Sequence, residues 1–175
     1  KLNIEMAVIA NEYGLIPTVP GMQGPKADKV QDVFDVFDFD SYGDQGRVDY
    51  ILNAKEHGGG VYVIGKCEDT FQQGYMNYYK VYNKHPYYLF FRPYHLCHLE
   101  TPRAVALAAL FNKPICTQKA GRVTDCFAYA KKDLAVGSRI EHAIGSDEVY
   151  GLIDVAKQAD SRNQVPQGVL DVEDS

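Results

Sequence analysis

The stretch Tyr87-Tyr-Leu-Phe-Phe-Arg-Pro-Tyr-His-Leu-Cys-His-Leu-Glu-Thr-Pro102 decides the architecture. Its first five residues are aromatic or aliphatic, the composition of a strand. Pro93 cannot donate to a ladder, so it ends the strand, read over 87–91. Thr101 and Pro102 read as the N-cap and first residue of a helix. The helix interior, Ala104-Val-Ala-Leu-Ala-Ala-Leu-Phe111, is apolar on almost every face. That pattern predicts burial in an intrachain core or a subunit contact. Between strand and helix lies a short polar junction, where side chains can converge on one cleft.

Working outward, Asn83-Lys-His-Pro86 reads as a hairpin connection from a second aromatic strand over 75–82. Val61-Tyr-Val-Ile64 reads as a third strand, stopped by Gly65 and preceded by the turn His57-Gly-Gly-Gly60. At the N-terminus, Leu2, Met6, Ile9, Ala10 and Tyr13 recur near the helical period, and Gly14 supplies a left-handed cap. Residues 15–29 hold Pro17, Pro20, Gly21, Gly24 and Pro25 and read as a loop. Val30, Val33, Phe34 and Phe37 mark a second helix, with Asp28, Asp32, Asp35 and Asp38 as a solvated acidic face. After Pro114 the pattern turns to short strands over 123–130 and 148–153, with a turn over 132–137. The change of pattern places a domain boundary near 113–122. The class is α+β: helices packed on a mixed or antiparallel, aromatic-rich sheet over 1–115, then a small β-rich module over 116–175.

The chain has 175 residues, 46% hydrophobic and 23% charged, so it can bury a core and is not disordered. Lys plus Arg number 18 against 23 Asp plus Glu, a net charge of -5. That balance, without a basic block, argues against nucleic acid and anionic membrane as partners. No apolar run approaches the roughly 18 to 20 residues of a membrane helix. The start, Lys-Leu-Asn-Ile-Glu-Met, reads as a helix and not as a signal peptide, so a cytoplasmic location is expected. The chain does not begin with Met, and a processed piece of something longer is one reading. Cys67, Cys97, Cys116 and Cys126 include no C-x-x-C pair and are expected to be free thiols.

The densest polar cluster is Arg92-Pro-Tyr-His-Leu-Cys-His-Leu-Glu100. Arg92 can grip a carboxylate or phosphate in bidentate fashion. Tyr94 and His95 can orient or protonate a carbonyl oxygen, and Glu100 completes the substrate contacts. The bland reading stays open: Arg92 pairs with a structural acid, and Glu100 caps the helix. His95 and His98 lie three apart with Cys97 between, but no third ligand is evident, so no metal site is expected. Cys97 is the best-placed nucleophile among the cysteines. The run His57 to Gly60 precedes a strand, whereas the dinucleotide fingerprint follows one. No nucleotide-binding unit is visible, and the chain alone is expected not to turn over substrate.

Three stretches resemble the homoserine-dehydrogenase-like oxidoreductases that end in a SAF domain, a group that includes enzymes similar to deoxyxylulose-phosphate reductoisomerase. They are Lys1-Leu-Asn-Ile-Glu-Met-Ala7, Arg92-Pro-Tyr-His-Leu-Cys-His-Leu-Glu100, and Ala128-Tyr-Ala-Lys-Lys-Asp-Leu-Ala-Val-Gly137 with Val149-Tyr-Gly-Leu152. The resemblance implies an NAD(P)-dependent enzyme whose central domain and SAF-like, β-clip module this chain supplies. NAD or NADP would be bound mainly by a domain absent from it. It implies a catalytic role for Lys1, because a Lys at a similar Lys-Leu helix start serves catalysis in homoserine dehydrogenases. A small hydroxy or oxo acid or a sugar phosphate is the implied substrate, and a homo-oligomer the expected assembly. The residues alone leave a second class open, a non-catalytic β-rich binding or oligomerisation module.

Overall fold

The computed structural model describes residues 2–56, 60–94, 97–142 and 145–167. Among them are five α-helices and several small sheets, a mixed α+β fold with no closed barrel. They divide into two compact units that interleave along the chain. Residues 2–23, 42–50 and 116–167 belong to the first unit, and 24–41 and 51–115, where described, to the second. The units further join the N-terminal helix to the C-terminal strands.

In the first unit, α1 (Leu2–Tyr13) lies against the antiparallel pair β6 (Thr124–Ala130) and β7 (Val149–Val155). Gly14 follows α1 at φ +71°, and the Leu15 N–H donates to the Ala10 carbonyl, closing the helix as expected. The buried face agrees only in part with the apolar spacing: Leu2, Met6 and Ala10 pack in the core as that spacing suggests, and Ile9 and Tyr13 do not. Ala7 and Ala10 are buried and pack with Met22, Val48 and Ile153, while Ile9 and Tyr13 are exposed. Small side chains let the helix approach the strands, and two asparagines fasten it there. The Ile153 N–H donates to Asn3 Oδ1 at 3.0 Å, and Asn11 bonds β6 at Thr124. Beside them, β1 (Ile16–Pro17) pairs in parallel with β2 (Arg47–Val48). The short α5 (Ala156–Ser161) buries Ala156 and Ala159, and Arg122 holds Asp160 through both terminal nitrogens.

Glu12 is a buried carboxylate at the end of α1. It accepts from the Thr117 N–H at 2.8 Å and from the Cys116 thiol at 3.3 Å, and Lys119 Nζ lies 2.7 Å away. The Lys119 ammonium, then the Thr117 N–H, hold its pKa down at about 2 against an ordinary 4.5. A depressed carboxylate contributes stability that is complete above its unfolded pKa and is lost as pH falls through the folded one. The urea midpoint should therefore fall between about pH 4.5 and pH 2 more steeply in the parent than in Glu12→Gln. Parallel slopes in the two proteins would show that the carboxylate is not held.

In the second unit, a 3-10 turn (Val30–Asp32) runs into the four-residue α2 (Val33–Val36), shorter than the helix the apolar spacing suggests. Val30, Val33, Phe34 and Phe37 pack on Leu89, with Tyr62, Ile64 and Phe91 beside them. The sheet has the order β3-β5-β4, all antiparallel. β3 (Val61–Lys66) continues through Gly65, which does not stop it. β5 (Tyr87–Arg92) ends before Pro93 as expected, and β4 (Asn83–Lys84) forms the hairpin with it. The acidic face carries structural contacts: Asp32 Oδ2 accepts from the Asp28 and Lys29 N–H groups, and Asp35 pairs with Lys84 at 3.1 Å.

Two elements differ from the expectation. Residues 75–82 are not a strand, because α3 spans Thr70–Tyr78. Asp69 caps it, its carboxylate accepting from the Gln72 N–H at 2.9 Å, and Phe71 meets Tyr75 four residues on. The apolar helix α4 runs Cys97–Phe111, so Pro102 lies inside it and Thr101 is no N-cap. The Thr101 hydroxyl instead donates to the Cys97 carbonyl at 2.6 Å. No residue of α4 is buried in this chain, and Leu110 and Phe111 are 74% and 64% exposed. The expected intrachain burial is therefore absent: an all-round apolar pattern reports composition, and the second unit's core is filled by α2 and the sheet.

All four cysteines are free, as expected. No described helix is long and apolar enough to cross a membrane.

Candidate functional site

The junction between β5 and α4 starts from a fixed strand end. Arg92 is the last residue of β5 and stands directly across from Val61, the first of β3. Immediately before Val61 the chain passes so close to β5 that a Cβ on Gly60 would lie 2.6 Å from the Arg92 carbonyl oxygen and 2.9 Å from the Pro93 carbonyl carbon. Glycine is required there for close backbone approach. Pro93 then turns the chain away from the ladder, and α4 begins at Cys97.

Arg92 and Glu100 meet in an ion pair that ties the strand end to the first turn of α4, and both side chains stay half-exposed. The structure thus brings together the two residues expected to contact substrate, but as partners of one another. The guanidinium retains donors beyond the one facing Glu100. It can take an anion by sharing or exchanging that carboxylate, whereas Glu100 itself repels an anionic ligand. An exposed pair of this kind contributes about 0–1 kcal/mol to stability. Tyr94 is accessible two residues on. Cys97 and His98 are exposed, and no metal-binding cluster occurs among the described residues. Lys1 and His95 lie outside the described residues. The buried Asn11 and Glu12 escaped sequence reasoning, which has no signal for a polar helix residue whose partners are more than 100 positions away.

The turn that follows β3 does not fit a dinucleotide. β3 leads into α3 through Cys67, Glu68 and Asp69, which puts acids at a helix N-terminus where a pyrophosphate would need N–H groups and glycines. Neighbouring strands are antiparallel, so no parallel crossover unit forms around that turn. Calorimetry on this chain with NADH or NADPH should register no binding. Micromolar affinity would show a nucleotide site that these elements do not provide.

The decisive comparison concerns residues 1–101, which match the family model described as oxidoreductase DRL, catalytic domain. The chain belongs to this family. The matched region runs from α1 into the first turn of α4 and includes Gly60, Arg92, Tyr94 and Glu100. The junction therefore sits within the catalytic domain of an oxidoreductase, and the chain is of an enzyme class. No curated protein matches it with significance.

Proposed function

We infer that this chain supplies the substrate-binding and SAF-like portions of a cytosolic NAD(P)-dependent oxidoreductase. Its substrate would be a small hydroxy or oxo acid or a sugar phosphate. The reading is carried by the match of residues 1–101 to an oxidoreductase catalytic domain. It gains support from Arg92, a guanidinium held at a strand end with donors to spare. Arg92 grips the substrate anion, and Glu100 holds the guanidinium in place between turnovers. Tyr94, His95 and Lys1 are the donors that orient or protonate the reacting oxygen. The nicotinamide nucleotide, which accepts or delivers the hydride, is held mainly by residues beyond this chain.

The test uses the protein of the full open reading frame, assayed by nicotinamide absorbance against a panel of hydroxy acids and sugar phosphates. Arg92→Lys should raise KM about tenfold or more, because an ammonium loses the bidentate fork, while the urea midpoint stays near the parent's. His95→Gln should lower kcat and leave KM closer to the parent value. A purely structural role predicts the reverse: stability falls in both variants, while the kinetic constants of the folded enzyme are unchanged.

A further inference from the structure

We propose that Arg47 is an anion-binding residue, whose guanidinium, laid over the Tyr42 ring, takes the carboxylate or phosphate group of a small molecule. The proposal goes beyond the oxidoreductase reading and does not need the role given to Arg92. Its first support is a charge without a counter-charge. Arg92, Arg122, Arg139 and Arg162 each hold a carboxylate, and Arg103 is exposed to solvent. Arg47 is partly buried, and among the described residues no acid pairs with it. Its Nε is buried and meets no hydrogen-bond acceptor among them. A guanidinium drawn partly out of water is costly unless an opposite charge faces it. The acids nearby in sequence do not supply one. Asp44 is exposed, and Asp49 accepts from the Gln23 and Tyr50 N–H groups at 3.0 and 2.8 Å.

The backbone fixes where this guanidinium stands. Arg47 opens β2 directly across from Ile16 of β1. The Ile16 N–H donates to the Gly46 carbonyl at 3.1 Å, and Gln45 Nε2 donates to the Gly14 carbonyl at 2.9 Å. Val48 is buried and packs with Ala7, Ala10 and Met22. Strand alternation therefore sends the Arg47 side chain to the opposite face. Tyr42 precedes a turn through Gly43 at φ +59°, and its ring comes back to Arg47, with Cζ 5.7 Å from the ring centroid.

An aromatic ring holds a guanidinium by its face and leaves the N–H edge for other partners. Nε is covered, so the N–H groups of the two terminal nitrogens are the donors that remain. One from each nitrogen points the same way, and the two together match two oxygens of a carboxylate or a phosphate. The stack restrains a long side chain, so less rotamer freedom is lost when an anion binds. One fixed fork on a chain of net charge -5 suits a single small oxyanion and not a nucleic-acid backbone.

The test titrates the 175-residue chain with sodium phosphate and, separately, with sodium acetate, at an ionic strength held constant with chloride. The arginine Nε–H signals are followed by 15N NMR. The Arg47 signal should shift saturably, together with the Tyr42 ring signals, while exposed Arg103 shifts weakly and without saturation. The anion that saturates Arg47 at the lower concentration assigns the site to phosphate or to carboxylate ligands. Read at the Tyr42 ring, Arg47→Gln should raise the dissociation constant about tenfold or more, the loss of a charge-assisted contact. Its urea midpoint should match or exceed the parent's, because an unpaired charge has been removed. Tyr42→Leu removes the ring and keeps the charge, so it should weaken binding less. No saturable shift at Arg47 with either anion would overturn the proposal. Equal shifts at Arg47 and Arg103, the mark of an adventitious ion only, or an unchanged affinity in Arg47→Gln would do the same. If Arg47→Gln does not fold, the comparison of Arg47 with Arg103 in the parent decides alone.

Discussion

Replacing Asn11 by Leu should destabilise the chain by about 3–5 kcal/mol, although Asn11 is one polar residue near the end of a helix. Asn11 is 7% exposed, and both ends of its amide are hydrogen-bonded. Nδ2 donates to the Thr124 carbonyl at 3.0 Å. Oδ1 accepts from the Val123 and Thr124 N–H groups at 2.9 and 2.8 Å, with the Thr124 hydroxyl at 3.2 Å. These groups stand where β6 starts and where α1 covers it, and water cannot replace the amide. A leucine of similar size leaves the Thr124 N–H and carbonyl unpaired, each at about 1–3 kcal/mol, and takes one of two acceptors from the Val123 N–H, which keeps the Gly121 carbonyl at 3.0 Å. Asn11→Asp keeps the acceptor but turns an oxygen toward the Thr124 carbonyl, so it should fall between parent and Leu. Thr124→Val removes only a hydroxyl and should cost about 1 kcal/mol. Urea unfolding of the three variants checks the order. If Asn11→Leu stays within about 1 kcal/mol of the parent, the α1–β6 tie is not what holds this unit together.

What the sequence shows of this fold depends on how far each signal reaches. The strands beginning at Val61 and Tyr87 and a turn before Tyr87 were legible, because alternation and turn chemistry are local, but Asn83 and Lys84 of the expected connection are themselves the hairpin's first strand, β4. α1 was legible as a helix, since its period and Gly14 lie within one stretch. Its buried face was legible at Leu2, Met6 and Ala10 but not at Asn3 and Asn11, whose partners lie in strands about 150 and 113 residues away. α3 escapes a sequence reading because the four tyrosines over 75–82 carry β propensity. Asp69 and the spacing of Phe71 and Tyr75 carry the helix instead. Pro102 was placed in the first turn because the ring is tolerated best there. In the structure it is the sixth residue of α4, where it costs one backbone bond, and the Cys97 carbonyl accepts from the Thr101 hydroxyl. At the candidate site, the pattern picked out Arg92, Tyr94 and Glu100 as neighbours. It kept a structural acid open as Arg92's partner but could not name Glu100 as that acid, because ion pairing depends on how the helix start folds back on the strand end.

The same glycine-to-alanine change should act in opposite directions at the two ends of β3. At Gly65 a Cβ would meet nothing nearer than a Phe90 ring carbon at 3.9 Å, an ordinary contact. Gly65→Ala removes backbone freedom from the unfolded chain and should be neutral or stabilise by about 0.5–1 kcal/mol. At Gly60 the new atom would lie 2.6 Å from the Arg92 oxygen, 2.9 Å from the Pro93 carbonyl carbon and 3.1 Å from Pro93 Cα. All three are backbone atoms, and no side chain can swing away to make room. The start of β3 must therefore lift off the end of β5, at about 1–3 kcal/mol as in other overpacked positions. The damage should be local. The Val61 and Arg92 amides, which face each other across the last rung, should lose hydrogen-exchange protection. The Leu89 amide, which donates to the Tyr82 carbonyl at 2.8 Å on the far side of β5, should keep its protection. Because Arg92 is carried by that last rung, Gly60→Ala in the full enzyme should also raise KM, with Gly65→Ala leaving it unchanged. If Gly60→Ala preserves both the Arg92 amide protection and the KM, the strand end does not fix the guanidinium. The anion grip would then have to be sought elsewhere in the catalytic domain.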